Sequence, residues 1–146
     1  MRIRPIVQED SKNWVRMRCE LWPGVDAEHT RNVRRYFEGT LREPCAVLIA
    51  EDDSEIAGFA ELSIRAYAEG CDTEHVGYVE GWYVVPDARG RGVGRALIEA
   101  SEAWAREQGC TELASDAELD NIASDRAHKA CGFTETGQIR CYRKML

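Results

Sequence analysis

One segment restricts the fold of this chain more than any other: residues 77–109, GYVEGWYVVPDARGRGVGRALIEASEAWAREQG. Its opening residues are aromatic and β-branched and predict a strand from Gly77 to Val85. Beyond Pro86 the glycines Gly90, Gly92 and Gly94 fall among the arginines Arg89, Arg91 and Arg95. Val93, Leu97, Ile98, Ser101, Trp104 and Ala105 then fall on one face of a helix that Gly109 is placed to end. A strand, a glycine-rich turn and a helix together make an anion site. The first N–H groups of a helix have no acceptor within it, and the positive end of the helix dipole points the same way. Glycine in a helix costs ~1 kcal/mol relative to alanine, so three at a helix start need a reason, which a ligand lying close against the backbone supplies. The letters exclude two familiar versions. A Walker A loop needs Lys-Ser or Lys-Thr, and a G-x-G-x-x-G fingerprint needs glycine where Arg95 stands.

The flanking sequence predicts a mixed α/β domain. Ile3–Val7 reads as a strand, Asp10 as the cap of a helix with Trp14, Met17 and Leu21 on one face, and Pro23-Gly24 as its stop. Asp26 is placed to cap a second helix carrying Val33 and Phe37, ended by Gly39. CAVLIAE and EIAGFAELSIRA, separated by Asp52-Asp53-Ser54, read as an antiparallel pair, followed by a loop over residues 66–75. Gly81 invites a bulge in the strand that comes next. Glu112–Ala117 predicts a strand, Ile122–Ala130 a helix, and Phe133–Lys144 the last strands.

With 146 residues, 44% of them hydrophobic, the chain has the size and apolar content for one domain over residues 1–146. Its net charge of -7 argues against a nucleic-acid partner, which demands a basic face, and suits a cationic small molecule. No apolar run approaches the ~20 residues of a membrane span, and MRIRPIVQED lacks the apolar core of a secretory signal, so the expected location is the cytoplasm. Six scattered cysteines without C-x-x-C spacing predict buried reduced thiols and no metal.

Acids gather around the central strand: Glu69, Asp72 and Glu74 before it, Glu80 within it, and Asp116, Glu118 and Asp120 beyond the next. Solvated loop charge explains Glu69, Glu74 and Glu118. Glu80 and Asp116 lie in otherwise apolar strands, where a carboxylate needs a partner or an open cleft. From spacing alone, Trp22 suits a core aromatic at a helix end as well as a stacking surface, and Tyr67 is equally balanced between packing and ligand contact.

Arg89-x-x-Gly92-x-Gly94 behind Trp82–Pro86, followed by Asn121-Ile-Ala and then Ala-Cys-Gly132-Phe133, resembles the GCN5-related N-acetyltransferases (GNAT). The resemblance implies a central, mostly antiparallel sheet of six to seven strands with splayed middle strands and about four helices. It also implies acetyl-CoA as co-substrate, with Trp82, Tyr83 and Val84 lining the pantetheine arm. Arg89, Gly90, Arg91, Gly92, Val93, Gly94 and Arg95 would hold the pyrophosphate, and Asn121 would touch the opposite wall. Leu21-Trp22-Pro23-Gly24, Gly70-Cys71-Asp72, Glu80-Gly81, Ala114-Ser115-Asp116 and Tyr142-Arg143-Lys144 are similar to one branch, the aminoglycoside 6′-N-acetyltransferases. That branch implies an aminoglycoside between Trp22, Tyr67, Glu80 and Asp116, and a homodimer. Where it tends to carry a further glutamate, this chain has Gly137.

An alkylammonium with a pKa near ~10 must lose a proton before it attacks a thioester. Glu80, working through water, and Asp116 are the candidates to accept it. His128 stands where many relatives have a tyrosine acid. An acceptor of another kind, such as a polyamine, a metabolite amine or a protein N-terminus, would suit the same acids. A CoA-binding module without catalysis would need neither Glu80 nor Asp116.

Overall fold

The computed structural model describes residues 1–146. Its elements are β1 (Arg2–Pro5), α1 (Ser11–Leu21), α2 (Asp26–Phe37), β2 (Ala46–Asp52), β3 (Glu55–Arg65), β4 (Val76–Val84), α3 (Val93–Glu107), β5 (Leu113–Ser115) and α4 (Ile122–Ala130). The strands form one sheet in the order β1-β2-β3-β4-β5, antiparallel except for the parallel pair β4–β5. Asp53 and Ser54 take φ of 48° and 66°, so the β2–β3 hairpin closes in two left-handed residues, the turn whose twist matches that of the strands.

Strand alternation sends apolar side chains to both faces. Leu48, Ala50, Ala60 and Leu62 pack with Val93, Leu97 and Ile98 of α3, while Val47, Ile49, Phe59 and Tyr83 pack with Trp14, Met17 and Val33 of α1 and α2. Each of these residues is removed from water, and burial of a large aliphatic or aromatic side chain stabilises by about 1.5–3 kcal/mol.

Two irregularities shape β4. Opposite β3, Glu61 pairs with Gly81 and Leu62 with Val79, so Glu80 is an extra residue in a bulge beside the predicted glycine. On its other edge β4 meets β5 only over Gly77–Val79, and the strand runs on to Val84 with no neighbour there. This is the expected splay.

Several expectations need correction. The sheet has five strands, not six to seven, because Phe133–Lys144 forms none. From Thr134 onward every residue is exposed, and Ile139, Tyr142, Met145 and Leu146 lie in solvent. Arg140, Arg143 and Lys144 break up the apolar positions, and no strand lies alongside to complete a ladder. Asp10 does not cap α1: its carboxylate accepts from the Val7 N–H at 2.9 Å and from Arg4 at 2.7 and 3.0 Å. Asp26 begins α2 as its first residue without a capping bond. All six thiols are free, but only Cys110 is buried; Cys45, just before β2, and Cys141, in the C-terminal segment, are exposed.

Candidate functional site

The turn between β4 and α3 is built as the sequence predicts. Gly90 and Gly92 take φ of 75° and 85°, a left-handed backbone that favours glycine, and Gly92 is the N-cap of α3. Gly94 has a different reason: a Cβ there would lie 3.0 Å from the Trp82 ring. The backbone N–H groups from Gly90 through Arg95 donate to no acceptor in the chain. Six unsatisfied donors at the positive end of a 15-residue helix form a cradle for a phosphate or pyrophosphate.

The arginines do not all point into that cradle. Arg89 Nε donates to the Val84 carbonyl at 2.9 Å and ties the turn to the end of β4. Arg91 pairs with Asp52 at 2.7 Å but is 58% exposed, free enough to exchange that carboxylate for a ligand's phosphate. Arg95 donates to the Ala130 carbonyl at 2.8 Å, joining α3 to α4. The Val93 side chain belongs to the core, so only its N–H faces the turn.

From the cradle the open edge of β4 leads back to the point where β5 begins to pair. Trp82 packs against Gly94 and lies edge-on to His128 at 5.2 Å between ring centroids. Tyr83 turns the other way and donates its hydroxyl to Glu20 of α1, leaving only its backbone on the open edge. Asn121 serves as the N-cap of α4, its Oδ1 accepting from the Ser124 N–H at 3.0 Å.

Where β4 and β5 part, the two candidate acids come together through partners the sequence reading missed. Arg65 of β3 donates to both oxygens of Glu80, at 2.9 and 2.6 Å. Its guanidinium lies 3.6 Å from the centroid of the Tyr78 ring, and the Tyr78 hydroxyl donates to Asp116 at 2.5 Å. Burial, reinforced by Asp116, pushes the Tyr78 phenol well above its ordinary range and keeps it a donor, while Glu80 raises the pKa of Arg65. β3, β4 and the residue just after β5 thus contribute one polar array. The missed signal was positional: Tyr78 and Glu80 are two residues apart, but only the register of β3 on β4 brings Arg65 to them.

His128 faces the same end of the crevice. Its Nδ1 is 2.8 Å from the Ser124 carbonyl, which can only accept, so that nitrogen carries the proton. Nε2 lies 2.9 Å from Ser115 Oγ, whose hydroxyl also lies within 3.3 Å of the Val79 carbonyl. Tyr67 is 67% exposed on the β3–β4 loop and lines the same cleft as Arg65, Tyr78, Asp116 and His128. Glu112 pins that loop through the N–H groups of Asp72 and Thr73 and the Thr73 hydroxyl, and these bonds hold its carboxyl below the usual range.

Trp22 is wedged against the bulge: a Cβ at Gly81 would meet its ring at 2.5 Å. A buried polar cluster holds it there. Arg18 pairs with Glu61, Trp14 Nε1 donates to Glu61 at 2.8 Å, Arg18 Nε donates to His29 Nδ1 at 3.2 Å, and His29 Nε2 donates to the Trp22 carbonyl at 2.8 Å. Burial pushes the Glu61 carboxyl up, and Arg18 pulls against it. An acid among the apolar residues of β3 was the sequence signal that could have exposed this cluster.

A family model described as "Acetyltransferase (GNAT) family" matches residues 11–133. Over 146 aligned residues, 99% of this chain and 96% of the relative, the chain is 55% identical to an aminoglycoside N(6′)-acetyltransferase type 1 of Klebsiella aerogenes. The crystal structure of an aminoglycoside 6′-N-acetyltransferase from Acinetobacter haemolyticus superposes with a TM-score of 0.91 at 35% identity, covering 100% of this chain and 99% of that one. AAC(6′)-Iy, solved with the bisubstrate analogue CoA-S-monomethyl-acetylneamine, superposes at 0.90 with 37% identity, covering 99% and 98%.

Proposed function

The chain belongs to the GNAT family of acetyltransferases, and from that premise we propose that it moves an acetyl group from acetyl-CoA to the 6′-amine of aminoglycosides, a reaction that confers resistance to those drugs. The observation that carries this reading is the meeting of opposites along one strand. β4 leads into a turn and helix start with six free N–H donors suited to an anionic donor and bears, at its bulge, the acid array suited to a cationic acceptor. Full-length similarity to enzymes named for that reaction supports it.

Acetyl-CoA, when bound, supplies an acyl group activated as a thioester. The N–H groups of Gly90–Arg95, joined by Arg91, hold its pyrophosphate, and the open edge of β4 from Trp82 to Val84 takes the pantetheine arm, with Asn121 on the opposite wall. Trp22 and Tyr67 flank the acceptor. Glu80 and Asp116 bind its ammonium group, since charge-assisted hydrogen bonds are about twice as strong as neutral ones. With both Glu80 oxygens engaged by Arg65, a water held by Glu80 or Asp116 takes the amine proton. His128, when protonated at Nε2 as well as at Nδ1, is the group that gives a proton to the departing thiolate. The enzyme works in the cytoplasm, where acetyl-CoA is kept, and as a homodimer whose second copy covers the exposed apolar residues Ile139 and Tyr142.

Thiol release from acetyl-CoA, measured over a panel of acceptors, tests the reading. Kanamycin-class drugs with a 6′-amine should turn over and those with a 6′-hydroxyl should not; equal rates on both, or preference for a polyamine, would overturn it.

A further inference from the structure

The residue that joins the acids is itself a cation, in a cleft proposed to receive cations. A solvated arginine there would only repel the acceptor. Arg65 is not solvated in that sense: its side chain is 37% exposed, its fork is filled by the Glu80 carboxylate at 2.9 and 2.6 Å, and its Cζ lies over the Tyr78 ring, 3.6 Å from the centroid. Tyr78 in turn donates to Asp116 at 2.5 Å. Glu80, as the extra residue of a bulge, has no regular ladder position to fix where its side chain points, and Asp116 lies one residue beyond the end of β5. Both carboxylates therefore sit where the backbone alone constrains them least.

Resting on the acetyltransferase reading above, we propose that Arg65 is a positioning residue for the acceptor: it aims Glu80 through its fork and Asp116 through the stacked Tyr78, presenting two carboxylates at a fixed separation to one amine. A carboxylate has about four lone-pair sites, so the fork leaves each Glu80 oxygen a site for an ammonium N–H. Lysine cannot fill this role, because a single ammonium cannot fork to both oxygens while lying flat on a ring. Arg65 thus acts on specificity without touching the reacting atoms.

Arg65→Met and Arg65→Lys test the proposal, with Arg34→Met on the exposed face of α2 as the control. Losing one aimed, charge-assisted contact should raise the KM for a 6′-amino aminoglycoside about tenfold in both Arg65 variants. The KM for acetyl-CoA should stay within about twofold, as only acceptor binding is lost. In the unliganded protein, side-chain carboxyl carbon shifts read by NMR should move at Glu80 and also at Asp116, which Arg65 does not bond; the control should move neither. A fall in acceptor KM, an equal rise in both KM values, rescue by lysine, or a shift at Glu80 alone would each overturn the proposal. Wild-type protein inactive on every aminoglycoside would refute the acceptor reading instead, and the carboxyl shifts would still decide whether Arg65 couples the two acids.

Discussion

Arg18, Glu61 and His29 bring charge into a region from which water is excluded, with relative exposures of 7%, 2% and 3%. A buried ion pair gains little over a well-packed apolar pair, but breaking one strands the remaining charge at a cost of about 3–5 kcal/mol. Arg18→Met should therefore lower the free energy of unfolding in urea by about that amount, and adding Glu61→Leu should recover part of it. A double variant no more stable than the single one would mean that the cluster matters through Trp14 and His29 rather than through the ion pair. At this scale the sequence spoke unevenly. Glu80 and Asp116 stood out as acids in apolar strands, and the structure joins them through Tyr78 and Arg65. Glu61 met the same criterion and escaped notice, because its partners lie 43 and 47 residues away in α1. Arg65 closes an apolar strand, where nothing local distinguishes an aimed arginine from a solvated one.

Among the elements, α3 and α4 were the most legible, since local chemistry fixes their ends: Gly92 opens one, and Asn121 caps the other. β5 shrinks from the six residues of Glu112–Ala117 to three, since β4 pairs with it only as far as the splay, and that limit is tertiary. The start of α3 makes a separate prediction. Alanine in place of Gly92, at φ of 85°, forces an L-residue into left-handed backbone at a cost of roughly 1–2 kcal/mol. No neighbouring atom lies within 4 Å to block the methyl group, so the strain should appear as displacement of the N–H cradle. Calorimetry on Gly92→Ala should show CoA binding weakened about tenfold with acceptor binding unchanged; undiminished CoA affinity would move the anion site away from this turn.

For the molecule as a whole, the C-terminal segment was least legible, because strand-like letters become a strand only beside a partner and residues 134–146 have none within the chain. If a second copy covers them, sedimentation at micromolar concentration should show a dimer. Ile139→Glu with Tyr142→Glu should reduce it to the 16.5 kDa chain mass; a wild-type monomer would leave that apolar surface to some other cover. The bulge in β4 has a consequence at this scale too. Val79 faces α3 below it, and Trp82 and Val84 do so above it, so the strand changes from odd to even positions at Glu80. Deleting that residue would bring Leu62–Val79 and Glu61–Gly81 into consecutive register and leave every core side chain on its present side. In the grammar of insertions and deletions, Glu80 is the letter the sheet could drop without a misprint, and the one the proposed reaction would miss.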